Sequence, residues 1–203
     1  MHPISNTMTK SESTRDYIIE KTAPLFNRKG YSGTSLSDIT KSTGLSKGGI
    51  YGNFSNKDEV AMAAFIYNVN KISAVFEKET AAQATYKQKL LVYPRLYAQA
   101  FEKIFNSGGC PILNTAIEAD DTHPALRHQA GKAIRTWKEK LVHFIEQGIE
   151  AGEFKAKGID PERTALAIIS TIEGAVMIAK VSAQPDCLPS VMLVVTEFIN
   201  RLE

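Results

Sequence analysis

Apolar residues recur along this chain at steps of three and four, the period of a helix that turns one face to a core. Ile18, Thr22 and Phe26 keep that register in a first helix expected from about Ser13 to Lys29, with Gly30 placed to end it. Pro24 falls inside it and is expected to bend it or to remove a hydrogen bond. Tyr31-Ser32-Gly33-Thr34-Ser35 then forms a short turn ending in good N-cap residues. A second helix follows from Leu36 to about Thr43, with Leu36 and Ile39 turned inward. Gly44-Leu45-Ser46 is the next turn, and Lys47 to Phe54 the third helix. Ser55-Asn56 breaks it, and Asn56 caps a fourth helix running to about Lys78, whose first turn carries Asp58 and Glu59, the favourable sign for the helix dipole.

The pattern continues in the second half. A helix from about Thr85 to Asn106 is expected to be interrupted by Pro94 and closed by Ser107-Gly108-Gly109, and a short one begins near Cys110-Pro111. Thr122 with Pro124 opens a long helix whose stripe is Leu126, Ala130, Ala133, Trp137, Leu141, Phe144 and Gly148, ended by Gly152. Asp160-Pro161 reads as an N-cap followed by proline at the first helical position. It starts an almost continuously apolar helix to Lys180, and a last helix spans about Pro189 to Arg201. No segment alternates with period two and nothing repeats, so the fold is expected to be all-α, with about nine helices.

Composition narrows the class. The 203 residues are 43% hydrophobic and 23% charged, ordinary for a globular protein. No apolar run approaches the roughly 18 residues of a membrane span. Met1 to Lys10 lacks the apolar core of a secretory signal, and the first seven residues are given no role in the fold. Two cysteines, Cys110 and Cys187, suit a reducing compartment; the expectation is a cytoplasmic protein. Net charge is only +2, but its distribution is uneven: residues 1–60 hold eight Lys/Arg against six Asp/Glu, and residues 61–203 hold sixteen of each.

The charge surplus coincides with three helices, the last two joined by a tight glycine turn, which is the helix-turn-helix pattern. A DNA major groove about 12 Å wide admits one helix while the preceding helix braces it across the backbone. Thr34 and Ser35 stand where hydroxyls and free N–H groups meet a phosphate. Lys47 and Tyr51 share a face of the third helix, and Gly48 and Gly49 remove side chains that would hold the backbone away from DNA. Asn53 and Lys57 follow as a polar and a cationic phosphate partner. Gly48, Gly49 and Gly52 each disfavour helix by about 1 kcal/mol relative to alanine, so either the segment is not the helix expected or a helix that tolerates all three is kept for close contact. By pattern alone, a helical hairpin without function stays open.

The residues themselves carry a resemblance. Leu25-Phe26, Gly30-Tyr31, Gly33-Thr34-Ser35-Leu36 and Asp38-Ile39, then Gly44-Leu45-Ser46-Lys47-Gly48-Gly49-Ile50-Tyr51-Gly52-Asn53-Phe54 and Asn56-Lys57-Asp58-Glu59, closely resemble the TetR/AcrR family of bacterial transcriptional regulators. The motif covers about residues 14–60. Gly109-Cys110-Pro111-Ile112-Leu113-Asn114 with Glu118 resembles a motif of one branch of that family. The resemblance implies a DNA-binding domain over residues 10–57 and a ligand-binding and dimerisation domain over 58–203. It also implies a homodimer that reads a pseudo-palindromic operator. Lys47, Gly48 and Tyr51 match positions that approach bases; Thr34, Ser35, Ser46, Asn53 and Lys57 match positions that contact phosphate. Gly52 departs from the pattern, where a large polar or aromatic residue is usual.

Dimerisation is expected through the last two helices, with Ala165, Ile168, Ile169, Ile172, Val176 and Ala179 on one and Val191, Val194, Val195 and Phe198 on the other. Burial of those residues within one core is the alternative. Candidate effector contacts are Tyr97, Phe101, Cys110, Asn114, Glu118, Trp137 and Glu173, with Tyr93 and Phe105 as further aromatics; plain core packing is the alternative for the rings. Cys110 opens a helix, where the dipole would lower a thiol's pKa, so a redox or electrophile sensor stands beside a buried, inert cysteine. Glu173 reads as a paired core carboxylate or a ligand contact.

Other signals lapse. Gly44-Leu45-Ser46-Lys47-Gly48 fits the nucleophile-elbow spacing but lacks the preceding strand. Asn53-Phe54-Ser55 is a glycosylation sequon without secretion. His123 and His128 are five apart, off the face a helical metal pair needs. The chain is therefore read as a ligand-responsive regulator, most simply a repressor, with no enzyme activity, cofactor or metal. The alternative is a small-molecule sensor that has lost specific DNA binding, which Gly52 favours.

Overall fold

The computed structural model describes residues 10–99, 108–184 and 186–203. Among them are nine helices and no strand: α1 (Lys10–Lys29), α2 (Leu36–Thr43), α3 (Lys47–Tyr51), α4 (Lys57–Ala81), α5 (Tyr86–Gln99), α6 (Pro111–Ala119), α7 (Pro124–Glu150), α8 (Pro161–Ser182) and α9 (Cys187–Asn200). The chain forms two compact units, Met1–Asn68 and Val69–Glu203, divided within α4.

The first unit is built by short helices with strong end signals. Ser35 caps α2 through a capping box: its Oγ accepts the Asp38 N–H at 3.1 Å, and Asp38 Oδ2 accepts the Ser35 N–H at 2.9 Å. Gly44 ends α2 at φ +70°, left-handed backbone that a side chain would strain, and its N–H donates to the Thr40 carbonyl. Ser46 caps α3 by accepting the Gly49 N–H at 3.1 Å, and Asn56 caps α4 by accepting the Glu59 N–H at 2.9 Å. α3 ends at Tyr51, three residues earlier than the sequence suggests, because the Asn53 side-chain amide donates to the Gly49 carbonyl and closes the turn. Ile18, Phe26, Ile39, Ile50, Phe54 and Val60 make the core. Each such side chain taken out of water stabilises the unit by roughly 1.5–3 kcal/mol, which is how a five-residue helix holds its place.

In the second unit α5 packs on α9 and α7, α7 on α6 and α8, and α8 on α9. The α7 stripe buries Leu126, Ala130, Leu141, Phe144 and Gly148 and half-buries Ala133 and Trp137. Gly148 is required by a close approach: a Cβ there would lie 2.2 Å from Cε2 of the buried Phe154. Asp160 caps α8 by accepting the Arg163 N–H, with Pro161 at its first position.

Three expectations are corrected. α5 runs unbroken through Pro94, whose missing N–H is offset by burial of Leu90, Val92, Tyr93, Pro94 and Tyr97 along the same helix. α8 is long and apolar enough to cross a membrane by length and composition, but half of that stretch is buried inside the unit. Seven of the ten residues expected to face a partner, Ala165, Ile168, Ile169, Ile172, Val176, Ala179 and Val195, lie in the core of the chain itself. Val191 is partly buried against that core, whereas Val194 and Phe198, also expected to face a partner, are exposed, together with Leu166, Met177, Ile178, Val181 and Leu193 on the same two helices. A helix apolar all round carries two stripes, and packing chooses between them.

Candidate functional site

The α2–turn–α3 segment presents an outward face made of Ser35, Ser46, Lys47 and Gly48, all exposed, with Tyr51, Asn53 and Lys57 half-buried beside it. The Lys47 ammonium lies 6.0 Å from the Tyr51 ring centroid, so the pair shares one side of α3 as its spacing requires. Gly48 and Gly49 have ordinary helical backbone. A Cβ on Gly48 would meet only Ser46 Oγ, at 3.9 Å, and one on Gly49 would make ordinary contacts at 3.6 Å. Folding therefore does not demand either glycine. Gly52 is tighter, its Cβ falling 3.2 Å from the Gly48 carbonyl oxygen.

The hydroxyls divide by role. Thr34 is fully buried and donates to the Gly30 carbonyl at 2.6 Å, so this position offers a phosphate no side-chain donor. Ser35 donates both its N–H and its O–H to Asp38 Oδ2. That carboxylate, also bound by Lys29 at 2.7 Å, is held well below the usual range by Lys29 first and Ser35 second. Thr34 and Ser35 thus build the turn and leave the first-turn N–H groups of α2 at the helix start. Ser46 uses its oxygen as an acceptor for the Gly49 N–H. The Lys57 ammonium sits 4.3 Å from the Tyr31 ring centroid. Tyr31 itself donates to Asp58, a bond that with slight burial pushes its phenol up to about 12.

Sequence reasoning missed the bracket behind this face. Arg15 lies 4.1 Å over the Phe54 ring, donates to the Asn53 carbonyl and pairs with Glu59 at 2.7 Å, tying α1 to the end of α3 and the start of α4. An arginine in the first turns of an amphipathic helix carries no local signal of such a partner.

In the second unit, four of the named effector candidates meet. The Cys110 thiol donates to Glu173 Oε1 at 3.0 Å. Tyr97 and Trp137 stack with ring centroids 6.2 Å apart, Tyr93 and Trp137 at 6.1 Å, and Phe76 joins at 4.8 Å from Tyr93. Burial pushes the Cys110 thiol up, and Glu173 adds to the effect, so the dipole reading of a reactive thiolate is overruled by desolvation. Burial raises Glu173 from 4.5 to about 7, opposed by the Cys110 bond. Asn114 serves the scaffold: its Nδ2 donates to the Gly108 carbonyl and its Oδ1 accepts Lys180 Nζ at 2.8 Å. Glu118 is half-buried on α6, its carbonyl accepting the Thr122 hydroxyl. Phe101 and Phe105 lie outside the described residues. Phe76 and Lys180 were not anticipated.

Comparison with known proteins agrees with both units. Residues 18–64 match the family described as bacterial regulatory proteins, tetR family, and residues 87–194 match the tetracyclin repressor-like C-terminal domain. The chain belongs to the TetR family. A TetR-family transcriptional regulator from Cytophaga hutchinsonii superposes with a TM-score of 0.92 at 46% identity over 98% of both chains. Another from Chloroflexus aurantiacus J-10-FL gives 0.90 at 38% identity over 96% of this chain and 98% of that one. The transcriptional repressor DhaR of a Mycobacterium species (strain GP1) is 24% identical over 187 residues, 90% of each chain. TetR-family regulators are dimers that bind operator DNA and respond to effector ligands. This TetR-family chain is accordingly a DNA-binding, ligand-responsive transcriptional regulator and not an enzyme. The reading as a sensor without DNA function is not favoured.

Proposed function

We propose that the chain is a homodimeric, cytoplasmic repressor that leaves a pseudo-palindromic operator when a small molecule enters its second unit. The observation that carries the DNA reading is the surface of α3. It combines an exposed lysine, a tyrosine on the same side, and two glycines that cost helix stability without serving the fold. Lys47, Tyr51 and the Gly48 backbone meet base edges. Ser46, Lys57, the amide of Asn53 and the N-terminus of α2, built by Thr34 and Ser35, meet phosphates. The exposed apolar stripe of α8 and α9 supports pairing of two chains through these helices, since seven large apolar side chains on one pair of helices are costly to leave in water. Effector binding shifts the population to a form whose two reading helices no longer match half-sites about one DNA turn, roughly 34–36 Å, apart.

The test is a gel shift of the purified protein on DNA flanking its own gene, with excess nonspecific competitor. If each chain neutralises about three phosphates, affinity falls with salt at a log–log slope of about −5. Affinity independent of salt, or no shift on flanking DNA followed by none in a random-sequence selection, overturns the assignment.

A further inference from the structure

Glu173 stands on an otherwise apolar helix and is nine-tenths buried. Its Oε1 accepts the Cys110 thiol, but its Oε2, also buried, meets no donor among the described residues. Trp137 Nε1 is likewise buried and has no acceptor among the described residues. Buried polar atoms are almost always satisfied, and two orphans in one aromatic cluster call for partners that the described residues do not supply. The rings are continuous with the carboxyl. Tyr97 is close enough to Cys110 and Glu173 that both push its phenol up further, after burial itself. Trp137, Tyr93 and Phe76 stack on from there.

The cluster has a definite polarity. Ring faces carry negative potential, and a carboxylate in a low-dielectric setting attracts a positive charge strongly. Burial raises the Glu173 carboxyl, the Cys110 thiol that donates to one oxygen partly offsets this, and a cation set against the other oxygen would favour the ionised form further. The nearest lysine on the same helix, Lys180 two turns on, is engaged by the Gly108 carbonyl at 3.0 Å and Asn114 at 2.8 Å. We propose that this cluster is the effector site and that its ligand is a lipophilic cation: an ammonium or amidinium set against Glu173 Oε2, on an apolar body lying along Tyr97, Trp137, Tyr93 and Phe76. The Trp137 N–H serves an acceptor atom on that body. This rests on the reading of the chain as an effector-responsive regulator, and it names the effector's chemistry.

Trp137 is the only tryptophan in the chain, so its emission reports on the site directly. The probes are three phenylbutyl compounds differing only in the end group: 4-phenylbutylamine, 4-phenylbutan-1-ol and 5-phenylpentanoate. The protein is titrated with each, exciting at the red edge of the indole band where the phenyl ring is silent. The amine is expected to give a saturable change at least about tenfold tighter than the alcohol or the acid. Glu173→Gln is expected to bring the amine to the level of the alcohol. An alcohol or acid that binds as tightly as the amine, no saturable change with the amine up to its solubility limit, or a charge preference that survives Glu173→Gln overturns the proposal. The wild-type series decides by itself if the variant does not fold. In parallel the amine is added to the protein–DNA complex. Selective binding that leaves that complex intact overturns the assignment to effector control. A protein that shifts no DNA at all sinks the regulatory reading instead, while the fluorescence series still decides whether the site takes a cation.

Discussion

Gly48→Ala should raise stability and weaken DNA binding at once. Gly48 has ordinary helical backbone, is exposed, and a Cβ placed on it finds no atom closer than Ser46 Oγ at 3.9 Å. The folded chain therefore accepts the methyl without strain, and the helix gains up to about 1 kcal/mol, the difference in propensity between glycine and alanine. For a chain of this size that corresponds to a Tm about 2–4 °C higher. If α3 meets DNA as proposed, the same methyl fills the gap through which the backbone approaches. Overpacking of a close contact costs about 1–3 kcal/mol, a loss of roughly 5- to 150-fold in affinity. Thermal melting by circular dichroism reads the first effect, and fluorescence anisotropy with a labelled specific DNA reads the second. A higher Tm with affinity unchanged within about twofold would refute the reasoning, since the glycine would then be held for neither fold nor contact.

Four further outcomes follow from the same structure. Lys47→Ala should cost about 1–3 kcal/mol of specific binding and loosen sequence preference; uniform weakening across DNA sequences in a competition assay would reassign Lys47 to phosphate. Gly148→Ala drives a Cβ to 2.2 Å from the Phe154 ring and should destabilise by about 1–3 kcal/mol; a second change, Phe154→Leu, should recover part of it in denaturant melts, and full stability of the single variant would count against that packing. Val181→Asp with Leu193→Asp, at positions 81% and 66% exposed, should turn dimers into folded monomers in sedimentation equilibrium; a persistent dimer would place the interface elsewhere. Glu173 is raised from 4.5 to about 7 by burial, so its folded state prefers the protonated form. Its favourable contribution is complete below pH about 4.5 and is lost as pH rises through about 7, a change of about 3 kcal/mol that Glu173→Gln should abolish in parallel melts across that range.

What is legible in the sequence is local chemistry. Ser35 with Asp38, Gly44 and Asp160-Pro161 act within one turn of chain, so their residue types announce the capping and the left-handed backbone found there. The stripe of α7 is equally plain, because one apolar face leaves no choice of orientation. Where burial chooses among options, the pattern is silent. Pro94 reads as a helix break, but the residues around it gain more from the core than the helix loses in one hydrogen bond. Thr34 reads as a hydroxyl offered outward, and its buried position turns it to Gly30. The dipole at the start of α6 argues for an acidic thiol at Cys110, and desolvation beside Glu173 reverses the sign. Phe76 cannot be singled out on a helix apolar over much of its circumference.

The places where this chain departs from what a stable monomer needs fall into three groups, each with its own partner chemistry. Gly48 and Gly49 weaken α3 with no compensating contact in the fold, and they lie on the outward face beside Lys47. Leu166, Met177, Ile178, Val181, Leu193, Val194 and Phe198 keep apolar surface in water on the two helices whose opposite faces already complete the core. Glu173 Oε2 and Trp137 Nε1 are buried without partners among the described residues, inside a cluster that apolar side chains of similar volume would stabilise better. Local choices in a sequence otherwise agree with its fold, and real proteins break that agreement chiefly where they bind. Backbone, apolar surface and buried polar atoms are three different concessions. On the function proposed above, they correspond in turn to a groove approached closely, a second copy that covers the stripe, and a ligand that brings its own charge.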